Sequence, residues 1–264
     1  MNRRRDLSPI FESDLDNNKG HDVPVMITNG LKADGFLKIH RLCMSRKATM
    51  TLLSLTSPSR IWLTLRNNIT DSLRITEPSA IEPLDPKFVR IDQYVMAPLR
   101  NRLYARARIM DVYESVERQE KYVKVFFIDD GLSSWLGAKC LAKMDEEFSF
   151  HPWQALGVSL FQVDPINPVN LTTRKEWNDH EIGTLRSIMR EYDEFLVNFV
   201  HESRLRTDYS DFYKVKIIGL TDEEQNGVSV NELFYLFNPA TVSFTRARYD
   251  GSKQKMYAPV RWSS

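Results

Sequence analysis

Cysteine is scarce in this chain of 264 residues, which contains only Cys43 and Cys140. Two cysteines cannot form a disulfide framework, so the sequence favours a reducing, intracellular compartment. An excess of one charge is missing as well, because 36 basic and 35 acidic residues leave a net charge of +1. Proteins that bind nucleic acid mainly through its phosphates usually carry a basic excess, so this balance argues against that class.

Long apolar runs and metal-ligand spacings are also lacking. No segment is long and apolar enough to cross a bilayer, and no apolar stretch of a secretory signal follows the N-terminal arginines. The five histidines stand far apart and have no metal-binding spacing to the cysteines. No Gly-rich phosphate loop occurs. We therefore expect no cofactor, no metal site and no membrane partner.

The middle of the chain has the composition of a folded protein, whereas its two ends do not. Hydrophobic residues make up 42% and charged residues 27%, which is ordinary for a soluble domain. Residues 1–22 are polar and rich in arginine, so we predict a disordered basic tail there. We predict an N-terminal extension over residues 23–47, either a hairpin or a strand followed by a helix, and a C-terminal tail over 246–264.

Sequence typical of β-strands occurs in two blocks that precede a helical region. The first block comprises two strands at residues 50–56 and 61–65, joined by a turn at Pro58. The second, residues 88–150, contains four or five short strands, which favours a small barrel that closes its own edges.

After Trp153 the pattern predicts a helix, two strands and a second helix. The first helix should follow a capping-box sequence at Thr173–Glu176 and the second should follow one at Ser229–Glu232, with the strands at 194–201 and 212–218. The apolar stripe of the second helix is expected to pack in the core and consists of Val230, Leu233, Phe234 and Phe237.

Three motifs in order resemble a known family. Residues 104–107 (Tyr-Ala-Arg-Ala) correspond to a W-Y-R-A-like strand, residues 125–131 end in Phe-Ile-Asp-Asp-Gly, and residues 148–155 match F-x-x-x-P-x-Q-A. Flanking phrases at residues 55–63 and 227–233 resemble the V-x-S-P-x-x-F-W-V-Q and S-V-N-x-x-L patterns of the same family. Residues 48–245 together resemble an extended Tudor domain, in which a Tudor barrel is inserted into a staphylococcal-nuclease-like OB fold.

The resemblance implies a mainly β protein with helices (α+β), in which a Tudor-type small β-barrel is joined to an SN-like, OB-fold subdomain. The Tudor core should span about residues 88–150, and the SN-like halves about 48–70 and 151–245. Ordinary extended Tudor domains bind methylated arginine in an aromatic cage, where each cation–π contact contributes roughly 0.5–2 kcal/mol.

Most of the aromatic residues of that cage are absent here. The residues that match the family's peptide-binding site, or flank it, are Leu99, Tyr104, Ala105, Phe127, Asp130 and Leu132. Phe127 is the one aromatic in its matched position, and it either lines the pocket or faces the barrel interior. Tyr94 or Tyr104 offers an alternative wall. We therefore predict that methylarginine is not the ligand and that the site binds an unmodified apolar or basic side chain, or has lost its pocket role.

Adjacent acids at Asp129 and Asp130 also fit a magnesium site of a nucleotide enzyme, but no further acids stand in register. Turn capping by Asp129, or its pairing with an arginine such as Arg106 on a neighbouring strand, is the favoured interpretation. The strands at 50–56 and 61–66 carry no acid, so the active site of a nuclease is not expected. We predict a protein that is not an enzyme.

The resemblance implies an adaptor of a small-RNA or germ-granule pathway, located in the cytoplasm or in perinuclear germ granules. Its partner would be a short linear segment of an Argonaute-, helicase- or RNA-polymerase-type factor. The alternative is a single-stranded RNA-binding OB-type module. It is favoured by the basic residues of the C-terminal tail and by four closely spaced arginines, namely Arg100, Arg102, Arg106 and Arg108.

Overall fold

The computed structural model describes residues 30–31, 37–42, 44, 47–65, 69–76, 81–115, 117, 119–200, 212–221 and 224–244. The predicted tails at 1–22 and 246–264 lie outside these residues.

The described strands are β1 (Gly30–Leu31), β2 (Leu37–Lys38), β3 (Lys47–Ser57), β4 (Arg60–Leu65), β5 (Arg74–Ile75), β6 (Tyr94–Arg100), β7 (Leu103–Ser115), β8 (Glu120–Phe127), β9 (Leu132–Gly137), β10 (Leu156–Leu160), β11 (Val163–Pro165), β12 (Glu194–Phe199), β13 (Tyr213–Thr221), β14 (Glu224–Ser229) and β15 (Val242–Phe244). The α-helices are α1 (Ile69–Ser72), α2 (Asp179–Arg190) and α3 (Val230–Phe237). The strands predicted near residues 50, 61, 103, 122, 194 and 212 are confirmed.

Five strands form one closed barrel, which we call the nuclease-like barrel. Their order is β10-β4-β3-β12-β13, and parallel pairing of β10 with β13 closes the ring, while β14 extends the sheet beyond β13. Alternate residues of each strand point inward, as period-two apolar patterning requires. Fully buried side chains fill the interior, including Met50, Leu63, Val158, Phe195 and Val215.

Helix α2 packs on this barrel, but it begins later than the capping box at Thr173–Glu176 predicts. The helix starts at Asp179 and its N-cap is Asn178, whose side chain accepts a hydrogen bond from Glu181 N at 2.8 Å. The Glu181 carboxylate in turn accepts from Asn178 N at 2.9 Å, which completes a capping box five residues downstream. Glu181 also pairs with Arg174, so that arginine lies outside the helix and fixes its entry.

The predicted apolar stripe of α3 is only partly a core stripe. Ser229 caps the helix as expected, because its hydroxyl accepts from Glu232 N at 3.3 Å. Val230 and Phe234 are fully buried. Phe237, however, is 63% exposed, so its prediction as a core residue is wrong. It is the last residue of α3, and its neighbour Leu236 is exposed too, so these two residues do not pack on the barrel.

A second sheet of five strands, β5 to β9, forms the Tudor-like barrel. Its central strand β7 pairs with β6, with β8 and, near its N-terminal end, with β5, while β9 lies outside β8. Small and branched apolar side chains fill its interior, among them Val95, Ala107, Ile109, Val125 and Leu141. The predicted mainly β fold with a Tudor-type barrel and a nuclease-like subdomain is therefore confirmed. The sheet also includes β5, which precedes the predicted core of about 88–150.

The two barrels share an interface made largely of aromatic rings. Trp62 on β4 stacks against Phe126 on β8 with 4.7 Å between ring centroids, and Phe126 lies 5.6 Å from Trp153. Tyr94 and Ile128 are buried in the same cluster. Since the cluster draws side chains from both barrels, they pack together as one unit through a continuous apolar contact.

Part of the predicted N-terminal extension completes this interface. Ile39 is fully buried among the rings, and its carbonyl accepts a hydrogen bond from the Tyr94 hydroxyl at 3.2 Å. The His40 carbonyl accepts from Trp153 N at 2.9 Å, and the Arg41 guanidinium lies 4.8 Å from the Trp153 ring centroid. Before this segment, β1 and β2 pair antiparallel.

Within the part of the chain that the structure describes, the longest helix has 12 residues, and no helix is long and apolar enough to span a membrane.

Candidate functional site

The turn that follows β8 presents two adjacent acids at the junction of the barrels. Gly131 ends the turn with φ at 65°, and its amide donates to the Phe127 carbonyl at 2.9 Å. A Cβ atom at Gly131 would stand 2.5 Å from Cβ of Trp62. Ser54 Oγ donates to the Gly131 carbonyl at 2.9 Å. The turn is therefore fixed against the nuclease-like barrel, and only glycine fits its last position.

Asp129, the first acid of the turn, forms a buried ion pair with Arg106. Arg106 Nε donates to Asp129 Oδ2 at 2.8 Å, and Arg106 Nη2 donates to Oδ1 at 2.6 Å. Oδ1 also accepts from Gln154 N at 3.0 Å. The predicted pairing of Asp129 with Arg106 is confirmed, and this bidentate contact leaves neither oxygen open to a ligand.

Arg106 also joins the barrel to the segment that leads into the nuclease-like half. Its Nη1 donates to the carbonyls of Phe148 and His151 at 2.6 and 2.7 Å, and Nη2 donates to that of Pro152 at 2.9 Å. This explains why the arginine of the first motif, the aspartate of the second and the F-x-x-x-P-x-Q-A motif occur together. They are the parts of one buried hydrogen-bond network.

His151 stands beside this network, and its environment disfavours the imidazolium. Burial is the main cause that lowers the pKa of His151, the positive charge of Arg106 lowers it further, and Asp129 opposes both effects. The unfolded chain therefore binds a proton on this residue at a higher pH than the folded chain does, so folding stability falls as the pH drops below the ordinary range of imidazole.

We expect His151→Gln to reduce this loss of stability on acidification. Urea unfolding between about pH 7.5 and 5 should show a shallower decrease for the variant than for the wild-type protein, because one proton-linked group is removed. The same substitution at the exposed His180, on helix α2, provides the matched control. Identical slopes for His151→Gln and the wild type would contradict the assigned protonation.

Asp130, the second acid, faces an arginine from outside the recognised motifs. Arg74 on β5 stands opposite Ala105 on β7 in the strand register. Its Nη2 donates to Asp130 Oδ1 at 2.6 Å, and its Nη1 donates to Asp71 at 3.2 Å. The Arg74 and Asp130 side chains are 19% and 11% exposed, so this pair lies at the surface of the junction rather than in the core.

Asp130 keeps an unused oxygen in spite of this contact. Among the described residues, Oδ2 of Asp130 and Nε of Arg74 are buried and have no hydrogen-bond partner. Burial raises the pKa of Asp130; Arg74 offsets part of this effect, and the neighbouring Asp129 adds to it. A partly buried carboxylate with an unsatisfied oxygen is a candidate for binding a cationic group.

The structure places the sequence-predicted site residues in two groups. Ala105 and Phe127 are 1% and 2% exposed and belong to the interior of the Tudor-like barrel. Of the two interpretations of Phe127, the one that faces the barrel interior therefore agrees with the structure. Leu99, Tyr104 and Asp130 are half-buried, and Leu132, opposite Phe127 in the β8–β9 register, is 46% exposed.

Neither tyrosine named as an alternative wall forms a ring stack at this site among the described contacts. Tyr94 is committed to the barrel interface, where its hydroxyl binds Ile39 and accepts from Trp153 Nε1 at 3.3 Å. Tyr104 stands opposite Ile75 of β5 in the strand register. The contact that the structure shows at the candidate site is that of the Asp130 carboxylate with the Arg74 guanidinium. Sequence reasoning missed Arg74, because it belongs to no motif and its neighbours show no strand periodicity.

Within the described residues, no three His, Cys, Asp or Glu side chains gather in a way that could hold a metal ion. Asp129 and Asp130 instead face two different arginines, which accounts for the pair of acids without a metal.

Comparison with known proteins agrees with this geometry. The Tudor domain family model matches residues 45–162. No curated protein sequence matches the chain.

Three solved structures have the same fold. The extended Tudor domain of Drosophila melanogaster Papi is 16% identical, with a TM-score of 0.59, over 74% of this chain and 98% of that domain. The extended Tudor domain of human TDRD1 is 18% identical, with a TM-score of 0.59, over 78% and 94%. The extended Tudor domain TD3 of mouse TDRD1 is 12% identical, with a TM-score of 0.60, over 78% and 98%. Residues 45–162 thus match the Tudor domain family model, and the chain shares the fold of these extended Tudor domains.

Proposed function

We propose that this protein is a non-catalytic interaction adaptor that binds a short peptide segment of a partner independently of arginine methylation. The peptide would bind at the degenerate cage, formed by Leu99, Tyr104, Asp130 and Leu132, or in the adjoining cleft between the barrels. The observation that carries this proposal is the partly buried carboxylate of Asp130, the residue that the motif match aligns with a tyrosine of the family pattern.

The chemistry of the site supports this ligand class. A methylated guanidinium is attracted to stacked aromatic faces, each contributing about 0.5–2 kcal/mol, and the described site lacks such a stack. A carboxylate instead favours a group with many N–H donors, such as unmodified arginine or lysine. Methylation keeps the positive charge of arginine but blocks bidentate hydrogen bonding.

Structures of the same fold support a peptide partner. A variant of Drosophila melanogaster Papi is known in complex with an unmethylated Piwi N-terminal peptide and with its dimethylated form. Human TDRD1 is known with a symmetrically dimethylated peptide, and mouse TDRD1 with a MILI peptide that contains dimethylarginine. By analogy, we propose a partner among Argonaute-, helicase- or RNA-polymerase-type factors of a small-RNA pathway, in the cytoplasm or in perinuclear germ granules.

The argument for single-stranded RNA binding is weakened, because two of the four arginines that favoured it are buried. Arg106 is buried in the ion pair with Asp129, and Arg108 is buried and pairs with Asp92. Two of the four arginines that favoured RNA are thus internal structural groups. Arg100 and Arg102 remain exposed.

Methylation should give no gain in affinity. We expect a fluorescein-labelled Gly-Arg-Gly-Arg-Gly peptide to bind at least as tightly as its symmetrically dimethylated form, because the described site offers no stacked aromatic faces to a methylated guanidinium. Fluorescence anisotropy titration measures both. Asp130→Asn should weaken the unmodified peptide, whereas Phe127→Ala would disturb the barrel core and is unsuitable as a probe.

The double variant Asp130→Tyr/Leu132→Asn serves as the control, because it restores two residues of the family pattern. It should bind the dimethylated peptide better than the unmodified one. A wild-type preference of tenfold or more for the dimethylated peptide would contradict methylation independence. If the wild type binds neither peptide, a basic side chain is not the ligand of this site.

A further inference from the structure

We propose that Arg74 is an internal ligand of the Asp130 carboxylate and that an unmodified arginine of a partner peptide displaces it on binding. This inference rests on the proposed function, because it concerns the same site. It adds a specific ligand chemistry and a competing segment of the chain itself.

The position of Arg74 is the first argument. The motif match assigns Asp130 to the site where extended Tudor domains receive an arginine side chain. In this chain a guanidinium already lies against that carboxylate, with Arg74 Nη2 at 2.6 Å from Asp130 Oδ1. Arg74 belongs to β5, which lies next to the turn. Strand β5 pairs with the same edge of β7 as β8 does, beyond the point where the pairing with β8 ends. The site is therefore occupied by the chain's own cation.

The hydrogen bonds of this contact are incomplete. A guanidinium offers five N–H donors in a planar fork and can hold both oxygens of a carboxylate at once. Arg74 engages only Oδ1 of Asp130, and both Oδ2 of Asp130 and Nε of Arg74 lack partners in the described part of the chain. A peptide arginine that approaches with its fork parallel to the carboxylate would satisfy both oxygens. A dimethylated arginine has fewer N–H donors for this purpose.

The Arg74 side chain is also held weakly enough for a peptide arginine to displace it from Asp130. Strand β5 has two residues, and the helix before it, α1, has four. The second ion pair of Arg74 is to Asp71, whose side chain is 85% exposed, and such surface pairs contribute little. The contrast with Asp129 is informative, since that neighbour is fully buried and held by two bonds from Arg106. Asp129 thus has a permanent partner in Arg106, whereas Asp130 has an exchangeable partner in Arg74.

The test is calorimetric titration of acetyl-Gly-Arg-Gly-amide into wild-type protein and Arg74→Ala at about pH 8, where the carboxylate is ionised. An internal ligand lowers the competent fraction of the site, so removing it should tighten binding about tenfold. Asp130→Asn should abolish binding in both backgrounds. Arg74→Gln is the second variant to use if Arg74→Ala does not fold, and thermal unfolding checks both.

Arg100→Ala provides the matched control. Arg100 is exposed, and its charge acts on Asp130 without a hydrogen bond to it. Like Arg74→Ala, this variant removes one positive charge near Asp130, but it leaves the contact between Arg74 and Asp130 in place. It should therefore bind the tripeptide within about twofold of the wild type. The inference is overturned if Arg74→Ala binds no tighter than Arg100→Ala, or if Arg74→Ala binds the symmetrically dimethylated tripeptide as well as the unmodified one.

The outcome also separates the two proposals. Equal binding of the tripeptide to wild type and Arg74→Ala, with loss in Asp130→Asn, would refute the internal ligand and leave the peptide site in place. Absence of binding to all variants would refute both.

Discussion

Replacing Asp129 by alanine should destabilise the protein by about 3–5 kcal/mol, because it leaves a buried guanidinium without its counter-charge. Arg106 is fully buried, and its side chain donates to both oxygens of Asp129 and to three carbonyls of the segment after the Tudor-like barrel. Loss of the carboxylate should therefore loosen this segment as well as the β8 turn. Equilibrium urea unfolding measures the difference.

Two comparisons make this result specific. Glu82 pairs with Lys143 at the surface, with both side chains at least half exposed, so Glu82→Ala should cost no more than about 1 kcal/mol. The double variant Arg106→Met/Asp129→Leu should recover much of the loss, because it removes both buried charges together. If Asp129→Ala costs as little as Glu82→Ala, the ion pair does not hold the turn.

Trp153→Ala is expected to cost about 3–5 kcal/mol, as is usual for truncation of a buried large aromatic side chain. Trp153 is 1% exposed and contacts the Phe126 ring, the Tyr94 hydroxyl and the Arg41 guanidinium. Its removal opens the interface where the N-terminal segment and both barrels meet. Unfolding should be followed by tryptophan fluorescence and by circular dichroism.

Trp135 provides the control, because it is the same residue type on β9 and is 52% exposed. Trp135→Ala should change stability by no more than about 0.5 kcal/mol. We also expect the two spectroscopic transitions of Trp153→Ala to separate, since the barrels lose their shared packing. A coincident transition with wild-type stability would show that the interface does not couple them.

The sequence was most informative where local pattern and motif agree. A composition typical of strands was sufficient to locate β3, β4, β7 and β8, and β3 and β8 are also followed by a turn that contains proline or glycine. The pairing of Arg106 with Asp129 was also predictable, since a buried strand that ends in an acid needs a cation nearby.

Elements defined by distant partners were not predictable. Strand β10 is buried along its whole length, so it shows no alternation, and only its pairing with β4 and β13 makes it a strand. Strand β5 has two residues and depends on the edge of β7. The start of α2 was placed too early because Thr173–Glu176 and Asn178–Glu181 both fit a capping pattern, and only packing against the barrel selects the second.

The candidate site, too, was predictable from the sequence only in part. The substitution of acid and aliphatic residues into the aromatic pattern was evident from the sequence, and it led to the prediction that methylarginine is not the ligand. The burial of Ala105 and Phe127 in the barrel was not decided by the sequence, because an inward strand residue and a pocket wall have the same period. Arg74 became visible only through the fold.

The exchange of Arg74 for a peptide arginine can be observed directly by nuclear magnetic resonance of the arginine Nε–H groups in ¹⁵N-labelled protein. The Arg74 signal is identified by its loss in Arg74→Lys. We predict that this signal shifts as the unmodified Gly-Arg-Gly-Arg-Gly peptide is added and that the shift saturates with the same dissociation constant as binding. Saturable binding of the peptide while the Arg74 signal stays unchanged would contradict the account.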